Sequence, residues 1–419
     1  MDVQSLPLDE LDPITASIYG STGYPHEAWT RLRKEDPVHW CHPKGYSPFW
    51  AITKHADITT VSKQPDVFQS AGRFILFPDA LAPPDGEDAA ENPPLRMLVN
   101  MDPPEHRDYR KLVSPWFTPR MVKKLEIRLE EITAEMFDDL EGERELDFVT
   151  EIAALQPLRM ITEILGIPRK DEEFVLRVTN ENFGLEDPEF QREVENEDDR
   201  LGFLTEAAGF LNALFEDRRK EPRDDLSTVL ATATLGGEPV PPFELFSLAF
   251  LVMVAGHDTT RNGISSGLKT FFEHPAELEK LRANPDLVGL AADEIVRWTT
   301  PVNHFSRTAT RDVELGGKSI REGDSVALFY ASANRDEDVF EDPFAFRIDR
   351  DPNPHLGFGV GEHFCLGASL ARMDLRVFWR HFVERVESIE PTGPIELLDS
   401  SFVGGPKHIP VRIRVRPRS

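Results

Sequence analysis

Cysteine is scarce in this chain, which has only Cys41 and Cys365 among its 419 residues. Two cysteines cannot build the disulfide framework that staples many small secreted domains. The first ten residues also lack the basic start and the apolar run of a signal peptide. These absences predict a protein of the reducing cytoplasm.

Long apolar runs and excess basic charge are absent as well. The most apolar stretch, Leu245 to Ala255, is far shorter than the ~20 residues that a helix needs to cross a bilayer, so we expect no membrane anchor. The net charge of −27 disfavours nucleic acid as a partner, because a polyanion binds to a basic face. Acidic residues concentrate in Asp79 to Glu91 and Glu186 to Asp199, which we interpret as exposed loops.

Neither a Gly/Ser-rich linker nor an internal repeat divides the chain. Its hydrophobic content of 40% is enough for a large core, although length alone would favour two or three domains. We predict a single domain over residues 1–419, acting as a monomer.

The spacing of apolar residues predicts a mainly α architecture with a small antiparallel β component. Helical periodicity dominates from Pro119 to Lys220, with breaks at 166–168 and 184–188.

Strand patterns occupy shorter stretches. Turn residues separate two strand-like runs over 37–53 and again over 313–330, where Gly316 and Gly317 mark the turn. Clean alternation over 409–416 predicts a half-exposed strand.

The second cysteine stands in a glycine-spaced loop, residues 358–367, that opens a helix. Unpaired N–H groups and the helix dipole favour negative charge there, so Cys365 is placed to act as a thiolate ligand. Gly359, Gly361 and Gly367 suit positions where the backbone turns tightly or lies against a flat ligand. The loop therefore predicts a thiolate that ligates the metal of a flat cofactor.

Three other interpretations of this loop compete with that one. A dinucleotide-binding fingerprint that starts at Gly357 would require glycine where Glu362 stands, so its spacing fails. A zinc site could use His355, His363 and Cys365, but structural zinc sites need four ligands and no second Cys or His pair lies nearby in the sequence. An inert buried thiol is the ordinary state of a lone cysteine, yet the glycines and the helix argue against it.

A long apolar segment, Phe243 to Phe272, predicts a helix with a local defect. Gly256 costs about 1 kcal/mol relative to alanine in a helix interior, and the hydroxyls of Thr259 and Thr260 can compete for backbone carbonyls. Together they predict a bulge with room for a small ligand. Asp258 and Thr259 supply a carboxyl and a hydroxyl that could relay protons to it; the plain alternative is a buried helix with a surface aspartate.

The loop matches, at every specified position, the Phe-Gly-x-Gly-x-His-x-Cys-x-Gly signature of the cytochrome P450 haem-thiolate monooxygenases, and the resemblance extends over nearly the whole chain. Within that family the chain most resembles soluble bacterial hydroxylases of sterols and branched lipids from steroid catabolism. The resemblance implies the P450 fold, a helical bundle with a long central helix, and a haem b (iron protoporphyrin IX) whose iron is ligated by Cys365. It also implies proton delivery by Asp258, oxygen binding by Thr259, and haem contacts from Ala255, Gly256, Phe358, Gly359 and Gly367.

Haem carries two propionates, which need cationic or hydrogen-bonding partners where they are buried. His106 and Arg110 lie four residues apart and share a helix face. The family pattern assigns the propionates to these two residues together with Arg307 and His363. Taken singly, each of the four could equally be a solvated surface residue.

Glu294 and Arg297 match the Glu-x-x-Arg of the family, which implies a structural role. Such a pair by itself would be no signal, because exposed i,i+3 pairs are common. The family pattern expects a further arginine where this chain has Ala345. We predict that Arg347 or Arg350 replaces it, or that the helices are fastened otherwise.

The chain contains no flavin or iron–sulfur motif, so we expect electrons from a ferredoxin and a ferredoxin reductase that uses NAD(P)H. Two basic clusters could dock an acidic ferredoxin, although both could also be ordinary charged helix faces. The first cluster is Arg372, Arg376 and Arg380, and the second is Arg110, Lys111, Arg120, Lys123 and Lys124.

Mainly apolar segments line the pocket above the haem by analogy with the family. They contribute Phe74, Phe77, Phe183, Leu251, Val254, Val302, Phe305, Phe402 and Val403, with Asn303 or His304 orienting a polar group. The resemblance implies a monooxygenase that uses O2 to hydroxylate a steroid, a terpenoid or another lipid-like molecule. The alternatives are a peroxygenase that takes hydrogen peroxide, against which the Asp258 and Thr259 pair argues, and a non-catalytic haem-binding sensor.

Overall fold

The computed structural model describes residues 3–82, 95–192 and 201–418. Large parts of the two acidic segments, 83–94 and 193–200, lie outside the described residues. The start of the first segment, Asp79–Leu81, forms a short 3₁₀ turn. Within the described ranges, no helix combines the length and the apolar character that crossing a membrane requires.

Helices make up most of the described chain, as the periodicity predicted. They are α1 (Ala16–Thr22), α2 (His26–Glu35), α3 (His55–Ser62), α4 (Glu105–Val113), α5 (Pro119–Asp139), α6 (Leu155–Leu165), α7 (Glu172–Phe183), α8 (Gly202–Lys220), α9 (Leu226–Ala231), α10 (Pro242–Glu273), α11 (Pro275–Ala283), α12 (Val288–Thr299), α13 (Tyr330–Ala333) and α14 (Ala368–Arg385). The predicted breaks are correct, since Gly166 ends α6 in a left-handed conformation and Gly184 follows the last residue of α7.

The central helix is α10, which contacts α6, α7, α8, α12 and α14. Proline at its first position fits a helix start, because an N–H at that position would have no partner within the helix. The helix ends before His274 and Pro275, where a second proline begins α11. Most of its side chains are buried, so α10 is held by tertiary packing on several sides.

Short strands form the β component. They are β1 (Val38–Cys41), β2 (Phe49–Ile52), β3 (Phe68–Gln69), β4 (Gly142–Asp147), β5 (Thr234–Leu235), β6 (Glu238–Pro239), β7 (His304–Ala309), β8 (Val313–Leu315), β9 (Lys318–Ile320), β10 (Ser325–Phe329), β11 (Val386–Pro391), β12 (Glu396–Leu397), β13 (Pro406–His408) and β14 (Pro410–Val415). The largest sheet has the order β1-β2-β10-β7-β3.

Both predicted hairpins and the predicted C-terminal strand are present. β1 pairs with β2, and β8 pairs with β9 across Gly316 and Gly317, whose φ angles are 57° and 75°. β14 alternates buried and exposed residues and lies between β11 and β4.

Strand β4 is the element that helical periodicity missed, because it lies inside the region predicted as helical. Its sequence is charged, and only Leu146 is buried. Pairing with β14 stabilises it, and Arg412 and Arg414 of β14 form ion pairs with Glu145 and Glu143 of β4. These partners are distant in sequence, so no local pattern could indicate the strand.

A buried carboxyl group lies between the helices that pack on α10. Asp374 on α14 is 2% exposed and accepts the amide N–H of Gln156 on α6 at 3.5 Å. Gln156 in turn accepts the hydroxyl of Thr133 at 2.8 Å. Burial raises the pKa of Asp374 to about 7, while the Gln156 hydrogen bond lowers it.

This raised pKa predicts how stability depends on pH. Between about pH 4 and pH 7 the folded chain holds a proton on Asp374 that the unfolded chain has lost, so the contribution of this group to the free energy of unfolding falls as pH rises, by about 1.4 kcal/mol per pH unit. We expect Asp374→Asn, which cannot ionise, to show a smaller fall when urea unfolding is measured at pH 5, 6 and 7. The exposed Asp286→Asn is the matched control, and identical slopes for Asp374→Asn and the unmodified chain would contradict the prediction.

Candidate functional site

The loop that carries Cys365 is shaped by backbone contacts. The N–H of Cys365 donates to the carbonyl of Phe358 at 2.9 Å. Gly359 and Gly361 have φ angles of 66° and 80°, a region that favours glycine. A Cβ at Gly361 would lie 2.4 Å from the carbonyl oxygen of Ser62. Both glycines are therefore required by the loop itself.

Cys365 lies just before α14 and has exposed surface. A Cβ on Gly367 would meet no atom within 4 Å. Desolvation by the surrounding protein raises the pKa of Cys365. The N–H of Gly367 and the positive charges of Arg110 and Arg372 act in the opposite direction and favour the thiolate.

The four residues predicted to bind the propionates converge on this loop from α4, β7 and the loop itself. The rings of His106 and His363 have centroids 4.5 Å apart. Arg110 donates to the carbonyl of Phe364 at 2.7 Å, next to the cysteine. Burial and the charges of Arg307, His106 and Arg110 together lower the pKa of His363 to about 3.

Glu362 is a member of this cluster to which the sequence assigned no role. Its carboxylate accepts two hydrogen bonds from Arg107, at 2.8 and 2.9 Å, and lies 3.3 Å from Nδ1 of His106. The Arg107 hydrogen bond lowers the pKa of Glu362 to about 2. Glu362 occupies a variable position of the loop signature, so the pattern carried no signal for it.

The donor set of the cluster fits a haem with two carboxylate arms. Nε2 of His106 is buried and has no hydrogen-bond partner among the described residues. The guanidinium of Arg307 is buried, and within the described ranges its one hydrogen bond goes to the carbonyl of Ser306. A buried imidazole nitrogen with no partner and a buried guanidinium with no acidic partner suit propionate oxygens. The residues present therefore fit the group.

Ala255 and Thr259 lie on a more exposed face of α10, although most side chains of this helix are buried. Ala255 is exposed and Thr259 is half-buried, whereas His257 and Asp258 between them are fully buried. The hydroxyl of Thr259 donates to the carbonyl of Ala255 at 2.8 Å. The predicted competition for a backbone carbonyl is therefore present on the more exposed face.

The prediction of a bulge in this helix is wrong. α10 is continuous from Pro242 to Glu273, and no change of helix type interrupts it. A Cβ at Gly256 would lie 2.6 Å from Cδ1 of Ile161, so glycine permits close packing of α10 on α6. A haem contact through the backbone of Gly256 stays a prediction.

The carboxyl group of Asp258 is buried beside the guanidinium of Arg261. Its Oδ1 lies 2.5 Å from the guanidinium of Arg261, and Oδ2 accepts the amide N–H of Asn262 at 3.3 Å. Arg261 also donates to Oδ1 of Asn180 on α7 at 2.7 Å. Burial raises the pKa of Asp258, and Arg261 lowers it. The sequence pattern did not indicate Arg261 or Asn180, because neither belongs to the acid–alcohol motif.

Glu294 and Arg297 form a fully buried bidentate ion pair with distances of 2.7 and 2.8 Å. The side chain of Arg350 completes it, with Nε 3.1 Å from Oε2 of Glu294. Arg347 contributes only its backbone N–H, at 2.9 Å from Oε1. Of the replacements predicted for the arginine missing at Ala345, Arg350 is therefore the one present.

Aromatic residues predicted to line the pocket form a continuous series. The ring centroids of Phe183 and Phe402 are 6.3 Å apart, and those of Phe402 and Phe305 are 5.5 Å apart. The rings of Phe74 and Phe77 are separated by 6.3 Å, and the carbonyl of Phe74 accepts the N–H of the residue that follows Phe305, at 2.7 Å. All five are half-buried, as are Leu251 and Val302.

Other predicted pocket residues are fully enclosed, namely Val254, Asn303, His304 and Val403. The amide nitrogen of Asn303 donates to Tyr19 and to the carbonyl of Ser401, at 2.8 and 2.9 Å. Nε2 of His304 accepts the N–H of Leu76 at 3.2 Å, and Nδ1 lies 3.2 Å from the carbonyl of Ser401. Both side chains hold neighbouring segments in place, and a contact with substrate stays a prediction for them.

The first predicted basic cluster is already neutralised. Arg372 pairs with Asp293 at 2.7 Å, Arg376 with Glu126 at 2.8 Å, and Arg380 with Glu130. These ion pairs fasten α14 to α5 and α12, which favours the charged-helix-face alternative for this cluster.

In the second basic cluster, some side chains contact other protein groups and others make no ion pair within the described residues. Arg110 points toward the cysteine loop, and Lys111 pairs with Asp108 at 2.9 Å. Three further members are exposed and make no ion pair within 4 Å in the described part of the chain: Arg120, Lys123 and Lys124.

Comparison with known proteins agrees with this geometry. A family model described as Cytochrome P450 matches residues 156–411. A steroid C26-monooxygenase of Mycolicibacterium smegmatis is 38% identical, with 92% of this chain and 89% of the relative aligned. A linalool 8-monooxygenase of Pseudomonas putida is 37% identical, over 92% of this chain and 95% of the relative.

A solved cytochrome P450 of Mycobacterium marinum, in complex with pseudoionone, has the same fold. It superposes with a TM-score of 0.86 and 34% identity, and the match covers 97% of this chain and 99% of the other. The chain therefore belongs to the cytochrome P450 family of monooxygenases, whose members bind haem b.

Proposed function

We propose that this protein hydroxylates a steroid, a terpenoid or another lipid-like molecule, with O2 and with electrons from a separate ferredoxin system. The supporting observation is the convergence of His106, Arg110, Arg307 and His363 on the loop of Cys365. Bound haem supplies the redox chemistry that inserts one oxygen atom into a C–H bond and reduces the other to water.

Each protein group has a separate task in this proposal. Cys365 would ligate the haem iron through its thiolate, and His106, Arg110, Arg307 and His363 would hold the propionates. Thr259 presents its hydroxyl on the more exposed face of α10, where it can bind oxygen. Asp258, the preceding residue, can supply a proton for this chemistry, because burial raises the pKa of its carboxyl. The enclosed surroundings of Asp258 limit the access of bulk water to this proton.

We expect Thr259→Ala to uncouple NAD(P)H consumption from product formation. Without the hydroxyl, the oxygen-binding position loses a hydrogen-bonding group, and a larger share of the electrons should end in hydrogen peroxide. The measurement is the ratio of product and of peroxide to NAD(P)H consumed, with ferredoxin and reductase supplied.

Thr260→Ala is the matched control for this experiment. Thr260 is buried on a different face of α10, with its hydroxyl 3.5 Å from the carbonyl of Gly256. The control should keep its coupling ratio. Equal coupling in Thr259→Ala and the unmodified enzyme would remove Thr259 from oxygen activation.

The substrate class rests on the relatives and on the aromatic series. One relative is named for a steroid and another for linalool, and the pseudoionone complex shows an apolar ligand in the same fold. A series of half-buried phenylalanines suits such molecules. Screening steroids, terpenoids and fatty acids for a shift of the haem absorption band tests this class directly, and a response to none of them would contradict it.

The electron source is tested by comparing turnover with two donors. Ferredoxin, ferredoxin reductase and NAD(P)H should support product formation, whereas hydrogen peroxide alone should support little. The exposed Arg120, Lys123 and Lys124 offer a basic patch for an acidic ferredoxin.

We further propose that the enzyme acts as a single-domain monomer in the cytoplasm. Size-exclusion chromatography tests whether it is a monomer.

A further inference from the structure

A cavity of about 580 Å³ lies where five chain segments meet. Its lining includes Lys44 and Tyr46 of the β1–β2 connection, Asp79, Glu186 and Asp399. The hydroxyl of Tyr46 donates to Oε1 of Glu186 at 3.1 Å. Asp79 is tied to the same connection, because its N–H donates to the carbonyl of Gly45 at 2.8 Å.

The lining segments also carry the predicted pocket aromatics. Asp79 follows Phe77 by two residues, Glu186 follows Phe183 by three, and Asp399 precedes Phe402 by three. Each of these three acidic residues is therefore two or three residues away in sequence from a predicted pocket phenylalanine.

The aromatic series then leads toward the four residues that fit the haem propionates. Phe183 lies against Phe402, and Phe402 lies against Phe305. Cζ of Arg307 is 6.0 Å from the centroid of the Phe305 ring. One end of this series therefore adjoins the cavity, and the other end adjoins the residues that fit the haem.

We propose that this cavity receives the hydroxyl end of an amphipathic substrate, whose apolar body lies along Phe402 and Phe305 toward Cys365. The inference rests on the proposed function and narrows its substrate class. Molecules oxidised here would carry a hydroxyl group at the end opposite to the carbon that reacts.

The charges of the lining select a hydroxyl over a carboxylate. Three carboxyl groups, those of Asp79, Glu186 and Asp399, face one ammonium, that of Lys44. An acidic head group would be repelled by this excess of negative charge.

The titration of Glu186 favours an uncharged head group. Burial raises the pKa of Glu186 to about 7, so both of its protonation states are accessible near neutral pH. A hydroxyl can donate to the charged form and accept from the protonated form, whereas an ammonium could pair only with the charged form.

The experiment measures ligand dissociation constants from the shift of the haem absorption band in the holoenzyme. One series is farnesol, its methyl ether and farnesoic acid, and the other is cholesterol and its methyl ether. Each ether keeps the apolar body but removes the hydroxyl proton. In at least one series the alcohol should bind about tenfold more tightly than the ether, and farnesoic acid should bind more weakly than farnesol.

Two variants and one control assign this preference to the cavity. Glu186→Leu should reduce the alcohol-to-ether ratio to below about threefold, and Glu186→Gln, which keeps an acceptor, should retain most of it. Thr60→Ala removes an exposed hydroxyl of α3, outside the lining of the cavity, and should leave the ratio unchanged.

The possible failures are distinguishable. Equal binding of alcohol and ether in both series, or an unchanged ratio in Glu186→Leu, would overturn the inference while leaving the monooxygenase intact. If no compound in either series shifts the band of an enzyme with a normal carbon monoxide spectrum, the lipid substrate class itself fails, and the inference fails with it.

Discussion

Replacing Cys365 with alanine should abolish the thiolate-type carbon monoxide spectrum of the reduced protein. The sulfur of this residue is the one thiol in the cationic, glycine-shaped loop, and alanine cannot replace a thiolate ligand. The measurement is the reduced carbon monoxide difference spectrum of purified protein, normalised to haem content. Circular dichroism of the same sample verifies that the helical fold is kept.

The other cysteine provides a matched control. Cys41 is 4% exposed on β1, and burial raises its pKa to about 12, so it is a structural thiol in the core. Cys41→Ser should keep the thiolate-type spectrum in whatever fraction folds. A thiolate-type spectrum that survives in Cys365→Ala would refute the ligand assignment.

Glu294→Ala should produce the largest loss of stability. The carboxylate of Glu294 is fully buried between the guanidinium groups of Arg297 and Arg350, and its removal leaves both positive charges buried without an acidic partner. Breaking a buried ion pair in this way costs about 3–5 kcal/mol. Urea unfolding of the holoenzyme, followed by circular dichroism, measures the change.

An exposed pair on a helix is the comparison. Glu35 pairs with Arg31 at 2.8 Å but lies at the surface, so Glu35→Ala should change stability little. Arg350→Met tests the third member, because it leaves the bidentate Glu294 and Arg297 pair in place. A loss in Glu294→Ala no larger than in Glu35→Ala would show that the buried network does not fasten these helices.

Much of the fold follows from local patterns. Gly166 ends α6 because its backbone is left-handed, and Gly184 follows the last residue of α7. The turn at Gly316 and Gly317 needs positive φ angles, which glycine provides without strain. Each of these features depends on a few neighbouring residues.

The errors arose where distant residues decide the structure. β4 is charged and mostly exposed, and it exists because β14 pairs with it. The glycine of α10 produces no bulge, because Ile161 of another helix occupies the space beside it. Distant residues also surround Arg372, Arg376 and Arg380, which pair with acidic residues of α5 and α12, and docking of a ferredoxin at these arginines stays a prediction.

The sequence by itself determined the family, the identity of the thiol in the glycine loop and the helical periodicity, because these depend on residue type and short spacing. Only the tertiary structure decided that Arg350 completes the Glu294 network, that Arg261 pairs with Asp258, and that Lys44, Glu186 and Asp399 line one cavity. Burial and charge pairing are properties of side chains that meet in space, and their separation along the chain does not indicate which of them will meet.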